Sequence, residues 1–139
     1  MLLDDHYTVA SPLKGDPVHD MLAQIHSNLG YAVFLVVLAA TVLAFRSTAS
    51  ETPVSRFTSL TMVLLDVHVT IGIVLYVVGQ WWGANLLLSV LHPALALAAL
   101  AAGHIGIGRA RRERNPRLAA FGMAGALGLV TAAIAVASI

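Results

Sequence analysis

The sequence predicts an all-α fold, an integral membrane four-helix bundle with four transmembrane helices and both termini outside, and three observations carry that expectation. The 139-residue chain is 58% hydrophobic and only 11% charged, with a mean hydropathy of +0.83, far from the balance of a water-soluble domain. Four apolar runs dominate it, each long enough to cross a hydrocarbon core of about 30 Å, which takes roughly 20 helical residues. The charges are also segregated: Arg46, Arg56, Arg109, Arg111, Arg112, Arg114 and Arg117, seven of the eight basic residues, fall in the first and third connections. Arginine-rich loops stay in the cytoplasm, so those connections are expected inside and both chain ends outside.

Residues 1–20 are expected to form an outer arm, extended or partly helical, broken by Pro12, Gly15 and Pro17. Its Lys14 is set against Asp4, Asp5, Asp16 and Asp20. A secretion signal would begin with a basic segment, so the net acidic arm marks the first apolar run as a retained helix. His6 and His19 in the arm have no evident partner. The bundle is expected over residues 21–139. Its first span is Met21–Phe45, followed by a polar cytoplasmic turn from Arg46 to Arg56. The second span is Phe57–Gln80, and the uncharged link after it carries Trp81 and Trp82, which suit an aromatic belt at the outer membrane surface.

The third span is Ala84–Gly108. The fourth, Leu118–Ser138, has no titratable residue and carries Gly122, Gly125 and Gly128, small residues that suit close helix packing. All the loops are too short for a soluble catalytic domain, so function is expected inside the bundle or at its rims. The absence of cysteine excludes disulfides, thiolate metal sites and covalent heme attachment. The arginines from Arg109 to Arg117 read as a topology signal and an anionic-lipid contact, with no nucleic-acid partner.

Chemistry is expected at five ionisable groups at membrane depth: His26, Asp66, His68, His92 and His104. Such groups cost roughly 2–3 kcal/mol or more when unpaired and are usually there for a functional reason. Counting from the cytoplasmic arginines at 1.5 Å per residue, His26 and His92 come out nearly level, at roughly 30 and 25 Å. His68 comes out at about 18 Å and His104 at about 7 Å. Two histidines that ligate one iron from opposite faces of a porphyrin must share a depth, and His26 with His92 meets that condition. Imidazole alone does not select the metal, since it ligates iron, copper and zinc alike. A macrocycle is favoured by the small residue one turn after each histidine, His26/Gly30, His68/Gly72, His92/Ala96 and His104/Gly108, which lets a flat ring lie near the backbone. A closed zinc or copper site would lack further ligands near His26 and His92.

The stretch Ile25-His26-Ser27-Asn28-Leu29-Gly30-Tyr31 and the stretch Leu91-His92-Pro93-Ala94-Leu95-Ala96-Leu97 resemble the two histidine-bearing helices in each four-helix half of the heme A synthase family. In that family such histidines are axial ligands of a heme near the outer side. Leu64 to Tyr76, with His92-Pro93 and Gly103-His104, is also similar to small bacterial four-helix membrane proteins described as cytochrome b. The likeness covers about Gln24 to Arg112. With half the helices and no second bundle, the chain departs from heme A synthase where its hydroxylation chemistry is concerned. The resemblance implies a heme b held by His26 and His92 as iron ligands in a bacterial plasma (inner) membrane, serving electron transfer or heme handling, as part of a membrane oxidoreductase.

His68 and His104 are open to two readings: ligands of a second heme, or, with Asp66, a polar ladder that carries protons or holds a quinone head group. Asp66 and His68 point about 160° apart on their helix, so they do not face one ligand together. Asp66 also has the simpler reading of a structural pair with His104 or Thr70. The partners expected are the lipid bilayer, a quinone or respiratory-chain protein, and further copies of the chain. Two other functions compete: a non-heme accessory subunit or assembly factor of a respiratory complex, and a small proton-conducting transporter.

Overall fold

The computed structural model describes residues 17–47, 54–83 and 85–138. Within them lie four long helices: α1 Pro17–Arg46, α2 Arg56–Val78, α3 His92–Glu113 and α4 Pro116–Ala137. A 3-10 turn at Trp81–Gly83 follows α2, and a π-helical segment, Leu87–Leu91, leads into α3. No strand occurs among the described residues. All four helices, with the third counted from Leu87, are long and apolar enough to cross a membrane. Most of the expected arm, residues 1–16, and residues 48–53 of the first connection lie outside the described residues, as does His6.

The helix ends follow from local chemistry. The helix of the first span starts at Pro17, earlier than Met21, because proline's fixed φ and missing N–H suit a first helical position, and Asp20 in the first turn complements the helix dipole. Ser55 caps α2, its Oγ accepting the Thr58 N–H at 3.1 Å. After α2 the chain reverses through Gln80, whose φ of 51° is left-handed. The third helix runs past Gly108 to Glu113, since arginines at a helix C-terminus favour continuation over termination. Arg114 then turns left-handed with φ 50° and ψ 37°. Asn115 caps α4 by accepting the Arg117 N–H at 3.1 Å, and Pro116 opens that helix. The third and fourth helices thus form a tight antiparallel hairpin.

Glycine lets that hairpin close. A Cβ added at Gly106 would fall 2.5 Å from the Gly122 Cα, and one added at Gly122 would fall 2.7 Å from the Gly106 Cα. Backbone therefore meets backbone, as small-residue pairs allow in apolar bundles. Of the three glycines expected to pack the fourth span, Gly122 makes this contact, Gly125 leaves room in which an added Cβ would meet Ala102 at 3.5 Å, and Gly128 faces open space. The core is small and aliphatic, with Val33, Val37, Leu65, Ala99, Met123 and Ala126 in one cluster. Buried hydroxyls bond their own helix: Thr41 donates to the Val37 carbonyl at 2.7 Å and Thr61 to Phe57 at 2.9 Å. The outside is also apolar, with Leu60 66%, Leu86 73% and Phe121 63% exposed, a surface that water alone would not favour.

Candidate functional site: a three-histidine cluster

α1 and α2 carry the same short pattern, histidine followed four residues later by glycine: His26/Gly30 and His68/Gly72. The helices run antiparallel, and each glycine seats the other helix's histidine. The Cε1 atom of His26 lies 2.8 Å from where a Gly72 Cβ would be, and the Cε1 of His68 lies 3.4 Å from where a Gly30 Cβ would be. The i+4 spacing therefore makes a reciprocal cradle between two helices, whereas each small residue was expected to serve its own helix's ring. A Cβ added at Gly108, one turn after His104, would meet nothing within 4 Å.

The cradle brings the imidazoles of His26 and His68 face to face, with centroids 4.3 Å apart and planes within 2°. The depth count had separated them by more than 10 Å. It took Arg46 and Arg56 as one level, but the cradle pairs the turn at Gly30 with His68, so α1 extends at least a turn farther toward the arginine end than α2 begins.

His92 joins from the third side. Its ring centroid is 6.4 Å from that of His26 with the planes at 80°, an edge-on arrangement. The backbone before it explains its direction. Pro93 has no N–H to offer the carbonyl one turn back, and the chain widens into the π segment Leu87–Leu91, with the His92 N–H bonded to the Leu87 carbonyl. Single π turns inside longer helices often mark functional positions. Asn85 starts this segment, its side chain accepting the Leu88 N–H at 3.0 Å. The His92 Nδ1–H donates to the Ala133 carbonyl of α4 at 3.0 Å, so neutral His92 carries its lone pair on Nε2.

His26 Nδ1 and His68 Nδ1 are buried and have no hydrogen-bond partner. Buried polar nitrogens are usually bonded, so these two atoms, like His19 Nε2 near the Trp81 turn, are left with unused hydrogen-bonding or ligating capacity. A lone metal ion is not what the cluster suits. Parallel stacked rings keep their lone pairs in two parallel planes, so the nitrogens of His26 and His68 do not converge on a point between them. Among the described residues no three His, Asp or Glu side chains are grouped to hold a metal ion.

Asp66 and His104 sit apart from the cluster. The His104 Nε2–H donates to Asp66 Oδ1 at 2.9 Å, on the surface shared by α2 and α3, with the side chains 55% and 41% exposed. Of the two structural partners expected for Asp66, His104 is the one its side chain bonds. The third helix continues through Glu113, so Arg109 does not mark the end of the bundle. Thr70 bonds the Asp66 backbone carbonyl instead of its side chain. His68 faces α1 while His104 is engaged by Asp66, so the structure does not bring those two histidines together.

One histidine gained a setting that the sequence did not suggest. His19 is buried and stacked on Trp81, with centroids 6.4 Å apart and planes within 17°, and it bonds Asp20 at 3.3 Å. Tyr76 meets Trp82 nearby at 6.2 Å. The available signal was the length of α1: a helix beginning at Pro17 carries His19 to the same end of the bundle as the Trp81-Trp82 turn. Compared with protein-family models, curated proteins and solved structures, the chain matches none.

Proposed function

We propose that the protein is a multi-pass protein of the bacterial plasma membrane, with the arginine end in the cytoplasm and both termini outside, that binds one heme b between His26 and His92 and serves electron transfer. The observation that carries this reading is the separation of those two rings. Two metal–nitrogen bonds of about 2.0–2.1 Å, with about 1.2 Å more from each nitrogen to its ring centre, would put the centroids of two imidazoles on opposite sides of one iron about 6.4–6.6 Å apart. The His26 and His92 centroids are 6.4 Å apart.

The donor set fits the group. A ligating histidine commonly gives its other N–H to a carbonyl, which fixes the tautomer and aims the ring, and His92 does this through Ala133. On α1, His26 has a buried nitrogen with no partner and is held against α2 by the stacked His68 ring and the seat at Gly72. His68 therefore positions the His26 ring, since its lone pairs lie in a plane parallel to that of its neighbour and do not converge with them on one iron. Bound between these residues, heme b would supply one-electron ferric/ferrous chemistry. The protein contributes the ligands and their orientation. The likeness of the His26 and His92 stretches to the heme A synthase family supports the same pair.

Purified from cells supplied with heme, the protein is expected to be red, with a Soret band and a pyridine hemochrome of heme b quantified at one per chain. One heme is expected because His104 is engaged by Asp66 and His68 by His26. A colourless preparation overturns the proposal, and a ratio of two overturns the single-site assignment.

A further inference from the structure

α2 and α3 present a second polar feature on the surface of the bundle, away from the three histidines. Asp66 and His104 form its upper end, bonded at 2.9 Å. Seven residues along each helix toward the arginine end, Arg111 donates to Ser59 Oγ at 3.0 Å. The two pairs bound a groove of about 220 Å³ whose wall between them includes Met62 and Ile107. Ion-pairing groups in helices apolar enough to span a membrane normally face inward or have a ligand against them, yet these are about half exposed.

The layout is polar, apolar, polar, with the two polar pairs seven residues apart along each helix. Seven helical residues span about 10.5 Å. The oxygens of a para-quinone are about 5 Å apart, and hydrogen bonds of about 2.8 Å at both ends put their partners about 11 Å apart. The polar ends therefore match a flat ring with an oxygen at each end, lying over the apolar wall with its tail in the bilayer. The Asp66–His104 pair also suits both redox forms. With Nε2–H held by the carboxylate, neutral His104 has an acceptor at Nδ1 for a hydroquinone O–H. Once protonated, it has a donor there for a quinone carbonyl. At the other end, Arg111 keeps further N–H donors beyond the one given to Ser59. A lipid phosphate is less well matched, because the Asp66 carboxylate at one end repels an anion.

From this geometry we infer that the groove between Asp66–His104 and Ser59–Arg111 binds the head group of a membrane para-quinone. The binding itself stands on the groove alone; a use of that quinone as electron partner of the heme rests on the function proposed above. The test is equilibrium binding of decylubiquinone and of a short-tailed para-naphthoquinone to the protein in lipid nanodiscs, with empty nanodiscs subtracted. His104→Ala and Asp66→Asn are expected to weaken saturable binding at least tenfold while the helical circular dichroism is unchanged. His26→Ala, expected to lose heme, should keep wild-type quinone binding, which separates the two proposals. Neither quinone binding saturably to wild type overturns the inference, as does equal binding by wild type, His104→Ala and Asp66→Asn. So does retention of phosphatidylglycerol that depends on these residues while quinone binding does not.

Discussion

Replacing His92 with alanine is expected to reduce the heme retained on purification at least tenfold, and His26→Ala is expected to do the same. Loss of even an outer-shell partner commonly costs a metal site about 10–100-fold, and in the proposed site a direct bond to iron would be removed. Heme that remains should be five-coordinate, so its low-spin bands should give way to a high-spin spectrum. The neighbouring histidines make the test selective. His68→Ala removes a ring that stacks on His26 at 4.3 Å without removing a ligand, so low-spin heme should persist at reduced occupancy. His104→Ala should leave the spectrum unchanged, because that ring bonds Asp66 on a different surface. If instead His26→Ala kept the low-spin bands and His68→Ala lost them, the ligand pair would be His68 with His92, and the assignment made from ring separation would be wrong.

The second large effect is expected from a glycine that touches no iron. A Cβ at Gly72 would lie 2.8 Å from the His26 Cε1, whereas one at Gly30 would lie 3.4 Å from the His68 Cε1. The cradle is therefore tighter under the ligand than under the ring that steadies it. In Gly72→Ala the imidazole must move or its helix must shift. Overpacking of this kind costs about 1–3 kcal/mol, which is roughly 5- to 150-fold in heme retention if it falls on the bound state. Gly30→Ala should stay within about twofold of wild type by the same scale. Heme-to-protein ratios after purification, with circular dichroism to verify that both variants remain helical, decide the matter. Equal behaviour of the two variants would mean that the glycine seat does not hold His26.

How much of this was legible in the sequence depends on which physical signal each feature left. The four helices were legible because length and apolarity are summed over twenty or more residues, and no single position decides them. Their ends were legible to within a few residues, and the departures have identifiable causes: Pro17 as a helix starter, and the arginines after Gly108 as good helix-end residues. The approach of His26 to His92 was consistent with a count of rise per residue. The stacking of His68 on His26 was not, since that count assumes a common rim and α1 and α2 are offset. What does encode the stack is the repeated histidine–glycine spacing in two antiparallel helices, a pattern that reads as a local packing device until the partner helix is known. The turn of His92 by the π segment also left little trace. Pro93 signals a disturbed turn, but whether it kinks, widens or ends a helix depends on what α4 offers opposite, here the Ala133 carbonyl. The Asp66–His104 contact was legible only as one of two candidate partners for the carboxylate, because a side-chain pair between helices depends on register, and register is set by contacts such as Gly106 with Gly122.

The central claim is that one iron is gripped by His26 and His92, and electron paramagnetic resonance of the oxidised, purified protein tests it most directly. With the ring planes at 80°, the account predicts a low-spin ferric signal of the strongly anisotropic kind given by near-perpendicular axial imidazoles. A high-spin ferric signal, or protein purified from heme-supplied cells with no ferric heme signal, would contradict it.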